Sequence, residues 1–149
     1  MKYMKYDLQL VESSVHESEY DYRVKQSGDV CRFMKDVMKL HTFPNERFYS
    51  VMLNAKGDII GFMEISKGGT SEAIADPKEV FKGALIANAV AIIIAHNHPS
   101  GDPTPSQQDI DTTKRLVDAG KLLNVKVVDH VIVGHGGKHL SMTAEGHIT

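Results

Sequence analysis

The chain has 149 residues and a formal net charge of −2. That length fits one domain with a hydrophobic core, and no Lys/Arg cluster longer than a pair forms the basic stripe of a phosphate-tracking nucleic-acid binder. No apolar run approaches the ~20 residues that cross a bilayer, and MKYMKYDLQLVESS contains no continuous apolar stretch of a secretory signal, so a cytoplasmic protein without a membrane anchor is expected.

The single cysteine, Cys31, excludes an internal disulfide and a cysteine-based zinc cluster. A metal site therefore has to draw on carboxylates and on the eight histidines.

In chain order, residues 1–26 form a polar, tyrosine-containing extension. Its alternating stretches YDLQLV and YDYRVK could pair as strands or stay a loose arm. The domain proper is expected over residues 27–149. Ser27 precedes a helical pattern from about Asp29 to Leu40, which stops before Pro44 and takes Cys31 into the core with Val30, Phe33, Met34, Val37 and Met38.

RFYSVMLN and DIIGFMEIS then read as a hairpin joined by Ala55-Lys56-Gly57-Asp58. A loop opens at Gly68-Gly69 and runs through Pro77. A second helical pattern spans Lys78 to Ala89, with Val80, Phe81, Leu85 and Ile86 as its apolar stripe. The run of residues 89–95 is wholly apolar, as a strand buried on both faces would be.

A third helix is expected over about Ser106 to Leu123. VKVVDHVIVG follows as a strand, HGGK as a tight turn and HLSM as a short last strand. The order helix, hairpin, helix, strand, helix, strand, strand implies a mixed sheet with helices packed on its faces.

The chemistry concentrates in AHNHPSGDPTPSQQD. Strand side chains alternate, so His96 and His98 project together while Asn97 points away, and Pro99 ends the ladder. Two imidazoles at a strand end are a common start to a zinc site, which then needs a third ligand and an open position for water.

Asp109 is the candidate for that third ligand. Thr104 reads as the N-cap of the following helix, with Pro105 at N1 and Gln107 closing a capping box. Ser106 and Asp109, three apart, then share one helix face, and the helix terminus favours Asp109 as a carboxylate. The competing reading makes Ser106 the N-cap and Asp109 its N3 partner, with the histidines as polar loop residues.

H-x-H, seven residues, S, two residues, D resembles the signature of the JAMM zinc hydrolases. HNHPSGDPTPSQQD looks like the RadC branch of that family, as do GTSEAIADPKEVFKGALIANAVAII before it and LVDAGKLLNVKVVDHVIVG after it. The similarity covers roughly residues 27–145. It implies a three-layer α/β/α sandwich (the cytidine deaminase-like JAB/MPN fold) and a zinc ion, Zn2+, held by His96, His98 and Asp109. It also implies an upstream glutamate as general base, matching Glu64 in GFMEISKGG, and Ser106 donating a hydrogen bond near the oxyanion.

The residue pattern alone does not choose Glu64 over Glu46, Glu72 or Glu79. One hint favours it: Ile60, Phe62 and Glu64 would share a strand face, and a carboxylate among apolar groups needs a partner or a role. The reaction implied is hydrolysis of an amide or isopeptide bond in a peptide or protein substrate.

The DNA-repair association of RadC-type proteins is the alternative, with the domain acting as a nucleic-acid accessory. Neither the charge nor residues 1–26, which show no helix-hairpin-helix pattern, supports it. A third possibility is a structural zinc site in a binding module.

His130 reads as a structural or supporting residue at a strand end. His135 and His139 flank a solvated turn, Ser100 and Asp102 shape the loop, and His16, His41 and His147 have no partner pattern. Oligomeric state is left open.

Overall fold

A computed structural model describes residues 1–13, 22–67 and 75–149. Its elements in order are α1 (Ser27–Asp36), a 3-10 turn (Leu40–Thr42), β1 (Arg47–Leu53), β2 (Ile59–Lys67), α2 (Pro77–Ile86), β3 (Ala91–Asn97), α3 (Gln107–Leu123), β4 (Lys126–Val133) and β5 (His139–Ser141). The strands form one sheet in the order β2-β1-β3-β4-β5. β3 and β4 are parallel, joined through α3, and the other neighbours are antiparallel.

Alternation along the strands explains why the sheet needs cover on both sides. On β3, Ile92 and Ile94 face α2 and α3, joining Val80, Phe81, Ala84, Leu116 and Ile132. Ala91, Ile93 and Ala95 face α1, joining Val30, Phe33, Met34, Tyr49 and Val131. The result is a three-layer α/β/α sandwich, the fold class expected. Cys31 is buried in the α1 layer.

Several boundaries differ from the sequence reading. α1 ends at Asp36, and Lys39 adopts a left-handed φ of 54° that turns the chain into the 3-10 segment. α2 begins at Pro77 because the Asp76 side chain accepts from the Lys78 N–H and caps it. β3 runs on through His96 and Asn97, so both are strand residues.

Within residues 1–13 there is no helix or strand. Tyr22 and Val24 pack on the α1-side core, and Arg23 makes a single bridge to Asp58. The predicted loop at 68–74, which includes Glu72, lies outside the described residues, as does His16.

β4 and β5 are tied at their base by a buried carboxylate. Asp129 accepts from the Ser141 hydroxyl at 2.5 Å and from the Thr143 N–H at 3.0 Å. This holds the C-terminal turn against the α2/α3 layer, where Met142 and Ile148 are buried.

Candidate metal centre

The site lies where β3 leaves the sheet. His96 pairs with Phe48 of β1 and Ile132 of β4, and is 1% exposed. Its ring meets that of His98 at 4.6 Å, nearly perpendicular. His98 keeps one ladder bond, from its N–H to the Val133 carbonyl at 2.9 Å, before Pro99 turns the chain.

Gly101 closes this turn with a φ of +94°, and the His135 ring fills the space where a Cβ would stand. The turn brings the Asp102 carbonyl to His98 Nδ1 at 2.9 Å. A carbonyl only accepts, so Nδ1 carries the proton and Nε2 is left for the site.

α3 enters from the other side. Ser106 is its N-cap, with an extended backbone, accepting from the Asp109 N–H at 3.0 Å while Asp109 Oδ2 accepts from the Ser106 N–H at 2.8 Å. The expected cap at Thr104 is thereby corrected. The Asp102 carboxylate captures both the N–H and the hydroxyl of Thr104, at 3.0 and 2.7 Å, and commits that residue to the turn.

The capping pair therefore exists, yet it does not remove Asp109 from the histidines. The same Oδ2 lies 3.4 Å from His98 Nε2. A carboxylate has lone pairs enough for both.

The remaining acidic group is Glu46, one residue before β1. Its Oε1 is 3.5 Å from His96 Nε2 and 3.7 Å from His98 Nε2. One ligand atom from each of Glu46, His96 and His98 lies within 4.8 Å of the others. The β1–β3 register explains this, because Phe48 pairs with His96, and two residues further that register sets position 46 opposite position 98.

These donors fit a bound cation. His96 Nε2 is buried without a hydrogen-bond partner among the described residues, and 3.5 Å to Glu46 is electrostatic proximity only. The imidazole nitrogens of His96 and His98 converge with an oxygen of Glu46, and Asp109 Oδ2 adjoins them through His98, a nitrogen and oxygen set suited to zinc.

The electrostatics have the same sense. Burial opposes ionisation of Asp109, but His98, His96 and the Ser106 N–H outweigh it and hold its carboxyl far below the ordinary range. Burial also opposes the charged form of His98, which Asp109, the Asp102 carbonyl and Glu46 nonetheless raise. His96 lowers the Glu46 pKa against burial, with a smaller contribution from His98.

Residues 24–147 match the RadC-like JAB domain family. The chain belongs to that family. It is 44% identical over 127 residues to a UPF0758 protein of Caldanaerobacter subterraneus, covering 85% of this chain and 53% of that protein. A UPF0758 protein of Moorella thermoacetica is 45% identical over 113 residues, with 76% and 48% covered. One from Bacillus cereus is 39% identical over 132 residues, with 89% and 57% covered. The chain thus spans about half the length of these curated relatives.

In this RadC-like JAB domain the structure brings His96, His98, Asp109 and Ser106 to one place. It does not bring Glu64, which the resemblance implied as general base, to that place. Glu64 pairs with Tyr49 on the α1 face of the sheet, opposite to His96. Its Oε1 accepts from Arg47 at 2.9 Å and from the Tyr49 hydroxyl at 3.3 Å. The hint that favoured it holds for Phe62 but not for Ile60, because a bulge places Ile59 on that face and leaves Ile60 48% exposed.

Two residues support the histidines: Asn97, for which the sequence reading offered no role, and His130, read there as structural or supporting. Asn97, 2% exposed, sits on the α1 face between the two histidines. It accepts from the Arg47 N–H at 2.6 Å and donates to the Asn45 carbonyl at 3.0 Å, gripping the backbone on both sides of Glu46. His130 lies fully buried behind His96, Nε2 to Nδ1 at 3.2 Å. Burial drives its pKa well below the usual value, so it is neutral there. His135 buttresses Gly101, and His139 lies 3.5 Å from the Ser27 hydroxyl.

Proposed function

We propose that this domain is a zinc-dependent hydrolase of amide or isopeptide bonds, with a peptide or protein as its substrate. The observation that carries the reading is the buried Nε2 of His96, without a hydrogen-bond partner among the described residues, where it meets His98 and Glu46, with Asp109 beside His98. His96, His98 and Asp109 would hold the ion, and Glu46 replaces Glu64 as the general base. Bound zinc would supply a Lewis acid for a substrate carbonyl and lower the pKa of a coordinated water.

The chain's own groups divide the remaining work. Glu46 is held ionised by its imidazole neighbours, which is the proton-accepting state, and Asn97 fixes the backbone that presents it. Ser106 uses its oxygen to cap α3 and keeps its hydroxyl proton to donate to an oxygen on which charge develops. His98 is locked by the Asp102 carbonyl in the tautomer that a metal ligand requires.

The test measures zinc stoichiometry and hydrolysis of isopeptide-linked and linear peptide substrates. D109A should lose zinc. E46Q should keep it and lose hydrolysis, whereas E64Q should keep both. An E46Q chain that loses zinc would make Glu46 a ligand, and one that keeps full activity would remove it from the chemistry.

A further inference from the structure

Behind His96 lies a chain of hydrogen bonds with a defined direction. Thr113, buried in α3, places its hydroxyl 2.6 Å from the Asp109 carbonyl and 2.6 Å from His130 Nδ1. The carbonyl has no proton to give, so the hydroxyl proton goes to it. The Thr113 oxygen must then accept, and the proton on His130 sits on Nδ1.

His130 is fully buried, where an imidazolium without a paired anion is costly, so its ring carries one proton. Its Nε2 is therefore an acceptor. Facing it at 3.2 Å, His96 Nδ1 must be the donor. His96 Nε2 is thereby left as a bare lone pair in the site, with no hydrogen-bond partner among the described residues.

We propose that Thr113 and His130 are positioning residues that set the tautomer of His96. Through them one hydroxyl on α3 keeps the proton off the nitrogen that the metal needs. The inference rests on reading His96 as a ligand. The relay has a force to work against, because Glu46 Oε1, 3.5 Å from Nε2, favours a proton on that nitrogen when no metal is present.

Without the Thr113 hydroxyl, His130 has nothing to hold its Nδ1 proton. It can then carry the proton on Nε2 and donate to His96 Nδ1, which sends the His96 proton to Nε2, into the site. A metal ion would have to displace it. The relay also returns to the site's own framework, since the carbonyl at its end belongs to Asp109.

The test uses Thr113→Val, close in shape but without the hydroxyl, and Thr113→Ser, which restores it. Ring 15N shifts of His96 and His130 are read on the metal-free protein, and Zn2+ affinity by competition with a chromophoric chelator. The wild type should show His96 protonated on Nδ1. T113V should shift His96 towards the Nε2–H form and weaken Zn2+ binding about 10–100-fold, the usual effect of losing a partner behind a ligand. T113S should recover both.

A wild-type His96 protonated on Nε2, or a T113V protein with unchanged tautomer and affinity, would overturn the proposal. If T113V does not fold, His130→Gln, read by His96 shifts and Zn2+ affinity, makes the same comparison. A wild type that binds no Zn2+ would overturn the metal reading, and the metal-free tautomers would still decide the relay.

Discussion

Asn97→Ala is the substitution that tests how the centre is assembled. The side chain accepts from the Arg47 N–H at 2.6 Å and donates to the Asn45 and Phe43 carbonyls at 3.0 and 3.4 Å. Its own side chain is buried and these bonds are part-buried, so truncation leaves the Arg47 N–H and at least one carbonyl unmet. Each unmet group costs about 1–3 kcal/mol, and with partial rehydration the loss comes to about 2–4 kcal/mol. A domain with ~5–15 kcal/mol of stability still folds after that loss.

At a urea m-value of ~2 kcal/mol/M the midpoint should fall by about 1–2 M. Exchange of the Arg47 amide should speed up along with it. Zinc stoichiometry should be kept, because both histidines are anchored through β3 and not through this side chain.

Asn97→Asp separates hydrogen bonding from volume. It keeps the acceptor for Arg47 but turns a carboxylate oxygen towards two carbonyls, and should be no more stable than N97A. An unchanged N97A midpoint, or an N97D protein as stable as the parent, would refute the clamp.

Other consequences follow from the same geometry. His98 has a raised pKa, so it stays protonated to higher pH than a free imidazole, and zinc must displace that proton. Apparent Zn2+ affinity should therefore rise about tenfold per pH unit below the folded pKa and level off above it; calorimetry in buffers of different ionisation enthalpy should register the released proton, and an affinity flat from about pH 5 to 8 would count against it. Burial raises the Cys31 pKa, which lowers its thiolate fraction, so a thiol reagent should modify the native protein far more slowly than the urea-unfolded chain. Gly101→Ala forces a side chain to a φ of +94° against the His135 ring and should cost about 2 kcal/mol or more, read as a lower thermal midpoint with weaker zinc binding.

The local parts of this centre were legible because they depend on the strand period of two and the helix period of about 3.6. Alternation placed His96 with His98, and one helical turn placed Ser106 with Asp109. The cap was misplaced by two residues because Thr104 and Ser106 are both competent caps, and the choice was made by the Asp102 carboxylate, which binds Thr104 into the turn. Glu46 was hidden for a different reason. Its place depends on which strand β1 pairs with and in what register, and neither is written in the β1 segment itself. A pattern of apolar neighbours pointed to Glu64 instead, and a bulge in β2 had already broken that pattern at Ile60.

The same register explains how adjacent residues come to have opposite tasks. Glu46, Phe48, His96 and His98 face the α2/α3 layer, while Arg47, Tyr49, Glu64 and Asn97 face α1. The set that lines the candidate metal centre and the set that secures it are interleaved on two neighbouring strands, so neither can shift alone. A one-residue slip of β1 against β3 would bring the Arg47 guanidinium towards the imidazoles and turn Glu46 away to the α1 layer. It would also break the Asn97 grip, which holds only when the Arg47 N–H and the Asn45 carbonyl both point at that side chain. Asn97 therefore does more than fill the space between two histidines: by bonding the backbone on both sides of Glu46, it holds the β1 register in which Glu46, and not Arg47, shares their face.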